Sequence, residues 1–157
     1  MITLIQKVDT LIEPLRGLSD KIFSPLLDLG IRVFMANVFF ASGLIKFKTL
    51  LNDDFGSTIF LFEEVHPLPF IPAEIAAYGA TFGEIILPIL LAFGLFGRFA
   101  AGGLLVMTLV IQYGIPAEYG MQNSQHYYWM LLLMVPLFKG TGTFSLDTLL
   151  LKFTRKS

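Results

Sequence analysis

The sequence predicts an all-α fold: an integral membrane bundle of four helices preceded by an amphipathic helix lying in the membrane interface. Three observations carry this expectation. The chain of 157 residues is 55% hydrophobic and only 15% charged, which fits neither a water-soluble nor a disordered domain. Its apolar residues gather in runs separated by Pro and Gly. Ionisable residues sit inside those runs, Glu84 in the middle of Ala73 to Phe96, and Asp28 and Arg32 one turn apart in an earlier one. An ionisable group inside a bilayer is costly and marks a candidate functional site.

The first 22 residues form one unit. Leu4, Ile5, Val8, Leu11, Ile12, Leu15 and Leu18 recur at helical spacing, and polar residues fill the other face. Such a helix lies in the interface or packs on a partner subunit, and Pro14 is expected to interrupt it. Lys7, Asp9, Glu13, Arg16 and Asp20 break up its apolar residues, so the segment does not read as a secretory signal.

Residues 23–149 form the second unit, with four spans. They run from about Pro25 to Phe47, Pro72 to Gly97, Arg98 to Gly114, and Ser124 to Phe138. A spanning helix needs roughly 20 residues, so the last two are short. His66-Pro67-Leu68-Pro69-Phe70-Ile71-Pro72 cannot be helical throughout, and Pro72 is placed to open the second span. Gly94 to Arg98 makes a tight connection, Gly114-Ile115-Pro116 ends the third span, and Gly140-Thr141-Gly142 ends the fourth. Residues 150–157 form a basic tail. Lys7, Arg16, Lys21, Arg98, Lys139, Lys152, Arg155 and Lys156 then share one side, while the loops from Leu50 to Ile71 and Ile115 to Asn123 hold no Lys or Arg. Lys46 and Lys48 are the only positives on the far side. This bias predicts a multi-pass membrane protein with both termini cytoplasmic.

Helical rise places one polar residue from each span at one depth. Counted from the cytoplasmic ends at about 1.5 Å per residue, Asn37 lies about 18 Å up, Glu84 and His126 about 20 Å, and Gln112 about 21 Å. Four helices with polar groups at one height can converge on an internal site. Asn37 is about 140° around the first span from Arg32 at 100° per residue, so only one of the two faces the bundle centre squarely. Gly79 and Gly83 form a small-xxx-small pair suited to close helix contact. Asp28 and Arg32 are expected to pair with each other. Glu84 is then expected to contact His126, Gln112 or Lys46. Glu84 and His126 are the candidate proton-exchanging groups. Arg32, Asn37, Lys46 and Gln112 are the candidate substrate-binding residues.

Each candidate has a plainer account. Glu84 serves equally as a hydrogen-bonding tie between helices. His126 fits an interfacial aromatic belt beside Tyr127, Tyr128 and Trp129. Asp28 and Arg32 fit a structural pair near the inner boundary. Glu63, Glu64 and His66 lack metal-ligand spacing and read as a solvated loop, so no metal site is expected. The absence of cysteine removes disulfides, thiolate metal sites and cysteine nucleophiles. A formal net charge of −1 gives nucleic acid no footing as a partner.

Several of these residues match a known pattern. The first span holds Arg32, Phe39, Ser42-Gly43 and Lys46. The second holds Gly83-Glu84 and Leu87-Pro88, followed by Gly94-Leu95-Phe96-Gly97-Arg98-Phe99-Ala100-Ala101. The end holds Gly140-Thr141-Gly142-Thr143-Phe144-Ser145-Leu146-Asp147. From about Leu29 to Leu149 the chain resembles the DoxX family of small bacterial and archaeal membrane proteins. The resemblance implies a four-helix membrane bundle in which Arg32, Lys46 and Glu84 match recurring polar positions. It also implies an association with thiosulfate:quinone oxidoreduction, oxidative-stress complexes or metal-handling operons.

Three functions compete at this stage. The favoured one is an accessory subunit of a quinone-linked redox or oxidative-stress system. Its quinone would lie against Phe39, Phe40, Phe82 and Trp129, with a partner protein or a homo-oligomer completing the assembly. The second is a component that moves a proton, metal ion or small solute. The third is a membrane anchor for a soluble enzyme. Whether the chain itself catalyses a reaction is left open.

Overall fold

The computed structural model describes residues 2–154, with side chains described from Asp9 onward and at Gln6. The side chains of Leu4, Ile5, Lys7 and Val8, and residues Arg155 and Lys156 of the tail, lie outside what is described. All regular structure among the described residues is helical.

The first helix, α1, spans Ile2–Leu18 and continues through a π-helical turn, Ser19–Phe23, into α2, Ser24–Leu51. Pro14 lies inside α1 and does not end it. Pro25 sits in the first turn of α2, directly after the π turn. A short helix α3, Phe55–Phe60, and a π turn, Leu61–Val65, fill the connection that follows. Helix α4 spans Ala73–Phe93 and starts immediately after Pro72. It ends where Gly94 takes φ 64°, the left-handed conformation that favours glycine. Helix α5, Gly97–Leu109, passes into a π turn, Val110–Gly114. Helix α6 spans Ser124–Lys139, with the Asn123 side chain accepting a hydrogen bond from the Gln125 N–H at its start. Helix α7, Leu146–Thr154, closes the described chain.

Two helical stretches are long and apolar enough to cross a bilayer. One runs 43 residues from Asp9 to Leu51 and holds an 18-residue window of mean hydropathy 1.5, and the other is α4, whose window has 1.8. Only 33% of each apolar window is buried within the protein, so most of that surface faces outward. Exposed large apolar side chains continue round the bundle at Phe34 on α2, Ile86 on α4, Val106 on α5 and Leu131 on α6. Large apolar side chains exposed on all four helices suit a lipid or protein neighbour better than water.

The core sits where α2, α4, α5 and α6 meet. Met35, Phe39, Leu91, Ala100, Ala101, Leu104 and Leu133 form one buried cluster. Small residues set the helix distances. A Cβ at Gly43 would lie 2.7 Å from the C, Cβ and O atoms of Glu84, so α2 and α4 touch backbone to backbone there. The expected Gly79 and Gly83 contact is replaced by this one. A Cβ at Gly79 would meet nothing within 4 Å, and Gly83 faces the thioether of Met107.

Candidate functional site

The Gly43 crossing positions the principal polar group of the bundle. Lys46 lies one turn beyond Gly43 on α2, and the close approach of α4 brings Glu84 within its reach. Lys46 Nζ donates to Glu84 Oε2 at 2.7 Å and to Ser42 Oγ at 2.9 Å. The two charged side chains are 12% and 7% exposed, so this is a buried ion pair. Lys46 is thus the partner of Glu84 among the three that the sequence offered.

The pair forms the polar end of a cavity of about 520 Å³ between α2, α4, α5 and the π turn after α5. Ala80, Gly83, Leu87, Met107, Val110, Ile111 and Ile115 supply mostly apolar walls. Ile75, Gly79 and Val106, also on the wall, are exposed on the outer faces of α4 and α5, so the cavity opens sideways between these helices. Gly79 therefore leaves space, whereas Gly83 makes a close contact with Met107 of α5.

The sequence assigned His66 to a solvated loop, and the structure turns it inward. Glu63 and Glu64 are exposed, whereas His66 lines the cavity together with Phe62. The two rings meet edge to face with centroids 6.0 Å apart. Burial, and then the nearby Lys46 ammonium, hold the His66 imidazole below its ordinary titration range. The connection carrying it is fastened by the 2.6 Å contact between the Thr49 and Thr58 hydroxyls and by Phe55 against Tyr78 at 4.5 Å. The available sequence clue was the Pro-rich stretch after His66, which folds the loop back over α4. Among the described residues no three His, Cys, Asp or Glu side chains converge.

His126 and Gln112 make a separate cluster. His126 Nδ1 and Gln112 Oε1 are 2.7 Å apart, the backbone N–H of Asn123 donates to the same oxygen at 3.1 Å, and Gln112 Nε2 donates to the Tyr127 hydroxyl at 3.3 Å. These bonds tie the π turn after α5 to the start of α6. The expected single polar layer is therefore divided, with Glu84 and Lys46 in one place and His126 and Gln112 in another. Asn37 belongs to neither. It is exposed on the outer face of α2.

Arg32 is 1% exposed and has a different partner from the one expected. Its Nη1 donates to the carbonyls of Leu91 at 3.4 Å and Ala92 at 3.3 Å, and its Nη2 donates to the carbonyl of Phe144. The Leu91 carbonyl also accepts from the Gly94 N–H at 3.1 Å, so the guanidinium adds a donor to the carbonyls at this end of α4, which carry the negative end of the helix dipole. Asp28 instead pairs with Lys139, at 2.8 Å. Asp147 receives the N–H groups of Phe96 and Gly97 at 2.9 and 3.1 Å, and its own N–H donates to the Gly94 carbonyl at 3.0 Å. A Cβ on Gly97 would lie 1.8 Å from Thr141. Arg32, the Gly94 turn and the segment from Gly140 to Asp147 thus interlock the end of the bundle where α4 turns into α5.

These features define a small, membrane-associated helical protein with a buried ion pair beside a lateral cavity. The family model described as DoxX matches residues 27–116, and the chain belongs to the DoxX family. It is also similar to an uncharacterized protein of Haemophilus influenzae, 35% identical over 132 residues, covering 79% of this chain and 83% of that protein. No solved structure matches it.

Proposed function

We propose that the chain is a four-helix integral membrane protein of the prokaryotic inner membrane, and that its cavity binds the headgroup of a membrane-dissolved quinone for a partner redox enzyme. In this reading α2, α4, α5 with its π turn, and α6 cross the bilayer, with α1 and α7 on the cytoplasmic side. The outward apolar surface and the distribution of Lys and Arg support that arrangement.

The observation that carries the ligand reading is a buried Lys46–Glu84 pair at the end of a mostly apolar cavity that opens to the side. A cavity of about 520 Å³ is of ligand size. A lateral mouth suits a ligand that arrives through lipid. An ammonium has three donors, and Lys46 directs two at Ser42 and Glu84, which leaves one for a carbonyl oxygen. The quinone supplies two-electron, two-proton chemistry, with electrons coming from a partner protein. The residues of this chain do the rest. Lys46 holds the headgroup oxygen, Glu84 fixes the ammonium, the apolar walls exclude water, and His66 provides a proton-exchanging group on the side of the loop.

Photolabelling with an azido-quinone in lipid nanodiscs tests this. Label is expected on the cavity walls, within residues 75–87 and 106–115, competed by unlabelled quinone and lost in Lys46→Met/Glu84→Leu. Label spread over outward residues such as Ile86 and Leu131, without competition, would refute it.

A further inference from the structure

Asn37 lies in the middle of a helix proposed to cross lipid, yet it is exposed on the face of α2 turned away from its own bundle. A side-chain amide facing hydrocarbon leaves a carbonyl and two N–H groups unsatisfied, so its position calls for a hydrogen-bonding neighbour outside the chain. The residues around it have the spacing of a helix seam. Leu27, Gly30, Phe34, Asn37, Ala41 and Leu44 follow alternating steps of three and four, the repeat that keeps one face of a helix against another in a left-handed pair. The first five are exposed and Leu44 is half-buried. A Cβ at Gly30 would meet nothing within 4 Å, so nothing in the chain itself occupies that face. Gly30 and Ala41 flank the amide with small side chains that let a second backbone come close.

We propose that this face of α2 is a homodimer interface in which Asn37 pairs with Asn37 of a second copy. Symmetry selects the second copy over an unrelated partner. Two copies inserted with the same topology are related by a two-fold axis along the membrane normal, so each residue near the axis meets its own counterpart at the same depth. An amide is self-complementary, donor to acceptor in both directions. One polar residue in an otherwise apolar seam also fixes the register of the two helices. The Lys46–Glu84 cavity opens between α4 and α5, so the α2 seam leaves its mouth clear. This inference rests on the membrane reading above and not on the identity of the ligand.

The chain has no cysteine, so single introduced thiols report the interface directly. Phe34→Cys, Asn37→Cys and Ala41→Cys are oxidised in carbonate-washed membranes, with Ile86→Cys and Leu131→Cys as exposed controls on α4 and α6. A disulfide-linked species of twice the chain mass is expected at the three α2 positions and not at the controls. Adding Asn37→Leu to Ala41→Cys is expected to weaken dimerisation by about 3- to 20-fold, the usual range for an interhelical polar contact in a membrane. Asn37→Gln in the same background restores it. Absence of the dimer from protein retained in the washed membranes overturns the proposal alone. Loss of the protein from those membranes overturns it together with the membrane reading. Equal cross-linking at the controls, an adduct of another mass, or no effect of Asn37→Leu also overturns it.

Discussion

Gly43→Ala should disrupt the ion pair without touching either charged residue. The new Cβ would start 2.7 Å from the C, Cβ and O atoms of Glu84. Carbon contacts settle at about 3.5–4.0 Å, so α2 and α4 must separate by about 1 Å at this crossing. Backbone lies on the far side of the contact, and no rotamer change relieves it. Overpacking of this kind costs about 1–3 kcal/mol. The same displacement stretches the 2.7 Å bond from Lys46 to Glu84 past the range of about 3.2 Å in which such bonds are strong. For a chain of this size about 2–4 °C is lost per kcal/mol, so thermal unfolding in nanodiscs should show a fall of roughly 2–12 °C. Quinone photolabelling of the cavity should fall with it. Gly79→Ala is the matched control on α4. Its Cβ meets nothing within 4 Å, so stability should hold or rise by up to about 1 kcal/mol from helix propensity. Equal melting temperatures for Gly43→Ala and the wild type would refute the backbone contact and the site built on it.

Three further outcomes follow from the same geometry. Lys46→Met leaves the Glu84 carboxylate without its partner and should cost about 3–5 kcal/mol, whereas Lys46→Met/Glu84→Leu should unfold within about 1 kcal/mol of wild type; chemical denaturation of all three separates these, and equal loss in single and double variants would contradict the pairing. Arg32→Lys cannot reach the carbonyls of Leu91, Ala92 and Phe144 together and should cost about 3 kcal/mol in the same assay, since bonds from a charged donor contribute about 1.5–3 kcal/mol each; wild-type stability would show that Arg32 is not holding that end of the bundle. The neutral form of His66 is favoured by burial and by Lys46, so its folded pKa lies below the unfolded value of about 6.5 and the unfolded chain binds the extra proton. Its contribution should be complete above about pH 6.5 and fade as pH falls through the folded value, and melting curves from pH 8 to 5 should lose that slope in His66→Gln; an unchanged slope in the variant would assign the pH dependence elsewhere.

Most helix ends were legible in the sequence, and rotation about each axis was not. Pro72 and Gly140 punctuate the chain regardless of packing and locate the start of α4 and the end of α6 within about a residue, whereas α4 stops at Phe93, four residues short of the expected Gly97. Lys46 was one of three partners the sequence offered Glu84, and counting along the helices did not select it. The direction in which Asn37 and His126 face depends on how helices lean together, and that depends on contacts such as Gly43 against Glu84. The π turn at Val110–Gly114 adds to the difficulty, since its wider pitch rotates Gln112 off the phase of an α-helix counted from Thr108. Arg32 shows a third limit. Its partners are backbone carbonyls at a helix end, and a pattern of side-chain types carries no sign of them. His66 was read with Glu63 and Glu64 as a solvated loop because the three lack metal-ligand spacing, whereas in the fold both glutamates are exposed and His66 lines the cavity.

The account stands on a membrane-dissolved headgroup occupying the Lys46–Glu84 cavity. Mass-spectrometric measurement of quinone retained per protein, after extraction of the native membrane into nanodiscs, tests this most directly. The account predicts quinone enriched over the surrounding lipid for the wild type and reduced to the bilayer background in Lys46→Met/Glu84→Leu, whose fold is retained. Quinone at background in the wild type, or equal enrichment in both proteins, would contradict it.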